Sequence, residues 1–126
     1  MARREANPSD FLPLTPAIAH ILIALADGDR HGYGIMQEVE RVTNGALRMG
    51  PGTLYGTIKR MLAAHLIEEA DERPDPALDD ERRRYYRATH LGIAVLDAET
   101  ARMATLVSAA RAKRVHVRIP DRARRE

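Results

Sequence analysis

The chain has 126 residues, 44% apolar and 30% charged, which suits one folded domain with a modest core and excludes wholesale disorder. It contains no cysteine, so a disulfide framework and a thiolate metal site are excluded and stability must come from packing. The net charge of +2 divides unevenly: positions 111–126 hold seven Lys or Arg against two acids, a surplus of five that leaves residues 1–110 at −3, so gross charge carries no argument for a polyanionic partner.

No apolar run approaches the roughly 20 residues of a membrane span, and no basic-then-apolar leader pattern opens the chain, so a cytoplasmic location is expected. Residues 1–13 form an N-terminal arm, read as mobile through Asp10 because apolar periodicity is lacking. Thr15-Pro16 predicts a helix start, since the hydroxyl can cap free N–H groups and proline suits the first helical position. Ile18, Ile21, Leu22 and Leu25 then give one buried stripe, and Gly28 stops the helix. His31-Gly32-Tyr33-Gly34 leads into a second helix with Ile35, Val39 and Val42 on one face, ended by Asn44-Gly45. After a turn at Met49-Gly50-Pro51-Gly52, Thr53 opens a third helix whose Leu54, Ile58, Met61, Leu62 and His65 share a narrow arc, with His65 read as a packing residue. Leu66–Ala70 and Arg82–Ala88 predict a hairpin around a long polar tip. Thr89 caps a fourth helix that runs to at least Ala112, and residues 115–126 read as a basic, frayed tail.

Taken in order, these elements predict a mainly α fold with a small β-hairpin: a winged helix-turn-helix over residues 14–88 and a long C-terminal dimerisation helix over 89–114. At about 100° per residue, the third helix turns Thr53, Gly56, Lys59, Arg60 and Ala63 away from its apolar arc. Small residues let a helix backbone approach the floor of the major groove, while two long cations can reach phosphates or guanine edges. Tyr55 and Gly52 border this face, and Tyr33 and Arg48 are further DNA-contact candidates. Between Arg41 and Ile67 there is no acid, so Arg48, Lys59 and Arg60 make a local positive island. A second island holds Arg82, Arg83, Arg84 and Arg87. Strand alternation sends Arg83, Tyr85 and Arg87 to one side and Arg82, Arg84 and Tyr86 to the other, so both faces cannot touch DNA and one tyrosine belongs to the core; Arg83 and Arg84, one from each side, are the candidates. The intervening loop carries Asp71, Glu72, Asp75, Asp79, Asp80 and Glu81 against Arg73, and phosphate would repel its tip. The plain alternative is that Lys59 and Arg60 are a solvated helix face.

The fourth helix carries two apolar stripes about 100° apart. Leu91, Val95, Ala98 and Leu106 form one; Leu96, Met103, Val107 and Ala110 form the other. A small domain needs only one, so Leu96, Met103, Leu106, Val107 and Ala110 are expected in a homodimer interface. The competing expectation is a single broad face wrapped by the N-terminal segment. A twofold dimer would set two third helices about one duplex turn apart on a near-palindromic site.

Gly32-Tyr33, Gly52-Thr53-Leu54-Tyr55 leading to Lys59-Arg60, Leu66-Ile67, and Arg84-Tyr85-Tyr86-Arg87-Ala88-Thr89 with Gly92 together resemble the PadR family of transcriptional regulators, over roughly Leu14 to Ala112. The resemblance implies a winged-helix dimer, usually a repressor of detoxification, efflux or stress genes, of the subfamily with a single C-terminal helix. It places the reading helix at Gly52–His65 and the wing strands at Leu66–Ala70 and Arg82–Ala88. Gly56 departs from the proline many members carry after the tyrosine. Relatives that hold flat aromatic drugs use tryptophans, and this chain has no Trp and a single Phe, Phe11.

His20, His31, His65, His90 and His116 lack metal-ligand spacing, no glycine-rich phosphate loop follows a strand, and Glu68-Glu69 and Asp79-Asp80 are merely adjacent, so neither catalysis nor a metal or cofactor is expected. Two further readings remain beside the DNA-binding one. One is a winged-helix protein–protein module without DNA affinity. The other is a regulator released by a small apolar effector between the fourth helices.

Overall fold

A computed structural model describes residues 6–74 and 82–118, with the side chains of residues 72–74, 82 and 83 excepted. The tip of the expected hairpin, the first five residues and the tail from 119 lie outside the described residues. Helix α1 spans Pro16–Leu25, with Thr15 Oγ1 accepting from the Ile18 N–H at 3.3 Å. Strand β1, Arg30–His31, precedes α2, Gly32–Val42; α3 covers Pro51–Ala63, β2 Ile67–Pro74, β3 Arg82–Ala88 and α4 His90–Ala112. The fold is therefore mainly helical with a small antiparallel sheet, and the element order is that of a winged helix-turn-helix followed by one long helix.

The sheet has three strands in the order β1-β3-β2. The expected hairpin is there, with Ile67 opposite Ala88 and Glu69 opposite Tyr86. A third strand joins it, as Arg30 and His31 pair with Tyr86 and Tyr85. Two residues are too few to show a period-2 pattern, which is why sequence reading missed it.

Ile21, Leu22, Ile35, Val39, Leu54, Ile58, Met61, Ile67 and Val95 make one core to which all four helices and the sheet contribute. Three helices end alike. After α2, Asn44 takes φ 56° while the Gly45 N–H reaches Glu40 O; after α3, His65 takes φ 62° while Leu66 N–H reaches Met61 O; after α4, Arg114 takes φ 63° while Val115 N–H reaches Ala110 O. These six-to-one bonds satisfy carbonyls that a helix end leaves open. His65 is consequently an exposed helix terminator, and its expected role as a packing residue is corrected.

The start of α4 is tied to the end of α3. Thr89 Oγ1 lies 2.6 Å from His65 O and accepts from the Gly92 N–H at 2.9 Å, and the Thr89 N–H donates to Leu66 O at 3.1 Å. At Gly92 the backbones approach so closely that a Cβ would overlap the Leu66 carbonyl.

Two expectations about the chain ends are corrected. The N-terminal arm is not mobile over its described part: Pro8–Phe11 form a 3₁₀ turn lying against α4, and Phe11, Leu12 and Leu14 pack on the core. Leu96, expected between subunits, is 9% exposed and belongs to its own domain's core. The two stripes of α4 divide along the helix rather than around it. Gly92, Val95, Leu96 and Glu99 are buried in its first half, whereas Met103 and Leu106 are 46% and 66% exposed in a second half where no residue is buried and Val107 and Ala110 are half-buried.

Candidate nucleic-acid interface

Helix α3 buries Leu54, Thr57, Ile58 and Met61 and turns Gly52, Thr53, Lys59, Arg60 and Ala63 to solvent, with Gly56 half-buried between them. Its entry is built by Pro51 at the first helical position behind Gly50, whose extended backbone accepts from the Leu54 N–H at 2.9 Å. The Thr57 hydroxyl donates to Thr53 O at 2.7 Å and accepts from an Arg60 guanidinium N–H at 3.2 Å. Arg60 is thereby folded back along the helix, over the space that Gly56 leaves empty. Sequence reading missed Thr57 because a polar residue on the apolar arc looks like an irregularity, whereas here its second hydrogen bond orients a cation on the open face.

Tyr55, 49% exposed, leans across the start of α2, and a Cβ on Gly32 would come within 2.8 Å of its ring carbons. The glycine is what allows α2 and α3 to meet with the tyrosine between them. Together His31, Gly32, Tyr33, Tyr55, Arg84 and Tyr86 line an open cleft of about 340 Å³. A neighbouring cleft of about 130 Å³ is lined by Tyr33, Arg48 and Met49 among others. Tyr33, 50% exposed, borders both, so Arg48, Tyr33, Tyr55 and Arg84 form a continuous band that touches α3 through Tyr55. The structure thus brings together four candidates that lie far apart in sequence. Arg83 pairs through its backbone with Arg73, and its side chain lies outside the described residues.

Sheet geometry sorts the aromatic pair on β3. Tyr86 is 6% exposed, and burial pushes its phenol pKa up. Tyr85 is half-buried and meets the His31 ring edge-on at 5.3 Å between centroids. His31 also caps α2, its Nδ1 accepting from the Gly34 N–H at 2.9 Å.

The positive islands are smaller in space than in sequence. Arg48 is 3.0 Å from Glu40, Arg84 is 3.6 Å from Glu69, and Arg87 is 3.4 Å from Asp29. Arg41 is bound by Glu38 at 2.6 Å, and this bond raises its pKa. An acid-free stretch of sequence does not imply an acid-free surface, because Glu38 and Glu40 precede that stretch by a helical turn or reach it across a loop. Among the described residues, Lys59 and Arg60 have no carboxylate partner within 4.0 Å. No group of three His, Cys, Asp or Glu that could hold a metal occurs among the described residues.

Three short helices, an antiparallel wing and an outward third helix whose two cations have no carboxylate partner among the described residues define the winged helix-turn-helix class of transcription regulators. Residues 21–98 match the transcriptional regulator PadR-like family, and the chain belongs to it. It is 40% identical over 77 residues, 61% of its length and 65% of the relative's, to the transcriptional regulator Rv3488 of Mycobacterium tuberculosis. An uncharacterised 37.1 kDa protein from a transposon of Streptomyces fradiae is 37% identical over 86 residues, 68% of the chain, but the match spans only 22% of that relative. Among solved structures, a transcriptional regulator from Clostridium thermocellum superposes with a TM-score of 0.61 at 25% identity, covering 79% of this chain and 90% of that one. A PadR family transcription regulator from Clostridium difficile gives 0.62 at 22% identity, over 77% and 96%, and shares the fold. No helix among the described residues is long and apolar enough to cross a membrane.

Proposed function

We propose that the protein is a sequence-specific DNA-binding regulator that acts as a homodimer on a near-palindromic operator, with α3 in the major groove. The supporting observation is the outward face of α3: Thr53 and Gly52 keep it shallow, and Lys59 and Arg60 stand on it with no acid paired to them among the described residues. Such a surface can approach base edges closely while its cations reach guanine acceptors or phosphates. Tyr33, Tyr55, Arg48 and Arg84 flank it and are assigned to the phosphate backbone, whereas Arg83, which alternates to the opposite side of the strand from Arg84, is left out of the assignment. Binding over a promoter by both halves of a twofold dimer would block polymerase, so the natural mode of control is repression. Met103, Leu106, Val107 and Ala110 are assigned to the dimer contact, and a small apolar effector entering between paired α4 helices would release DNA by changing the spacing of the two reading helices.

The test is Lys59→Ala with Arg60→Ala in a gel-shift assay, on a duplex that the protein has selected from a random pool. Each contact is worth about 1–3 kcal/mol, so affinity should fall at least about 30-fold while the helical circular dichroism stays unchanged. Retained binding by a folded double variant would remove α3 from the role.

A further inference from the structure

The flanking band is cationic in composition but largely neutral in its pairing. Arg48 and Arg84, at its two ends, are each held by an acid from an adjoining element: Glu40 on α2 reaches Arg48 at 3.0 Å, and Glu69 on β2 reaches Arg84 at 3.6 Å. All four side chains are about half exposed or more, so neither pair adds much to stability. Their placement matters for another reason. A carboxylate on a guanidinium occupies the donors that a phosphate oxygen would take, and it adds a negative charge where the phosphate must arrive.

Resting on the DNA-binding reading above, we propose that Glu40 and Glu69 are specificity-determining residues. They act as internal competitors of phosphate that keep Arg48 and Arg84 from gripping DNA of arbitrary sequence. Among the described residues Lys59 and Arg60 have no such partner, so the reading helix meets DNA with its charge while its flanks do not. Random DNA offers only phosphates, and exchanging a carboxylate for a phosphate at Arg48 or Arg84 then gains little. A matched site docks α3 into the groove and holds the phosphates against the band, and the exchange proceeds because it has become intramolecular. The acids thus lower affinity everywhere but lower it most where base contacts are missing, which widens the gap between right and wrong sites.

The experiment uses the full chain with Glu40→Gln and Glu69→Gln, and a random-sequence duplex of roughly 30 base pairs followed by fluorescence anisotropy between about 50 and 200 mM salt. The double variant should bind about threefold to tenfold more tightly at the low-salt end, and its plot of log affinity against log salt should steepen by about one for each arginine released per protomer. Adding Arg48→Ala and Arg84→Ala should abolish the gain. Asp97→Asn, which removes one acidic charge on the exposed side of α4 and so matches either single acid substitution, should leave affinity and slope unaltered. Parent-like affinity and slope in the double variant would overturn the inference, as would a gain that survives loss of both arginines or is reproduced by Asp97→Asn. If the parent itself shows no salt-sensitive binding to any duplex, the DNA-binding reading fails and this inference fails with it; a parent that binds while the acid variants change nothing overturns this inference alone.

Discussion

Gly92 shows how one atom can set the relation between two parts of the molecule. The first turn of α4 lies against the end of α3, and a methyl group there would meet the Leu66 carbonyl, an oxygen already engaged by the Thr89 N–H at 3.1 Å. The neighbouring Leu22 side chain stands 3.2 Å away, so the helix cannot slide aside without disturbing the core. Gly92→Ala should therefore destabilise the fold by about 3 kcal/mol, the upper part of the range for overpacking, read from the midpoint of urea unfolding. Thr57 and Gly32 work at the same scale: the first orients Arg60, and the second makes room for Tyr55. Each was visible in the sequence only as a residue type, because what it meets comes from elsewhere in the chain.

Among the elements, α4 owes its first half to the N-terminal segment. Glu99 is 1% exposed, accepts two hydrogen bonds from Arg102 at 2.7 and 3.1 Å, and accepts a third from the Leu14 N–H at 3.2 Å. The Arg102 bonds, with help from the Leu14 N–H, hold its carboxyl below the usual carboxylate range even though burial opposes them. A lowered carboxyl pKa means that the clasp is complete above the unfolded chain's carboxyl pKa and is lost as pH falls through the lowered value. Glu99→Gln should melt at a lower temperature than the parent near neutral pH, and the difference should shrink in melts taken down to about pH 3. A constant difference across that range would mean that the charge plays no part. Nothing in the sequence marked this residue, since a glutamate within an amphipathic helix is ordinarily exposed and its partners at positions 14 and 102 share no motif with it.

For the molecule as a whole, the proposed pairing of two reading helices rests on the second half of α4, in which no residue is buried. Leu96 is excluded from that role by its burial, and a charge placed there would unfold the domain rather than separate subunits. Met103 and Leu106 are the informative pair, because both are exposed in the single chain. With Met103→Glu and Leu106→Glu, two carboxylates would have to be desolvated in any interface there, so self-association should weaken at least about 100-fold and light scattering should report a monomer. An undiminished dimer would move the interface elsewhere. DNA affinity should fall in parallel if both halves of a palindrome are gripped together.

Local chemistry was legible in the sequence by itself. Thr15-Pro16 and Thr89 cap the helices expected of them, Asn44-Gly45 closes α2, and the strand Arg82–Ala88 falls on its predicted residues. These features depend on backbone conformation within a few residues, and the ordered motif set was enough to point to the family that residues 21–98 match. Tertiary structure alone decided which charges are free, which half of α4 is covered, and that Arg30 and His31 complete the sheet. Pairing of Glu40 with Arg48, or of Glu99 with Leu14, depends on where folding brings distant backbone, and composition counted along a line cannot register a neighbour that arrives through space.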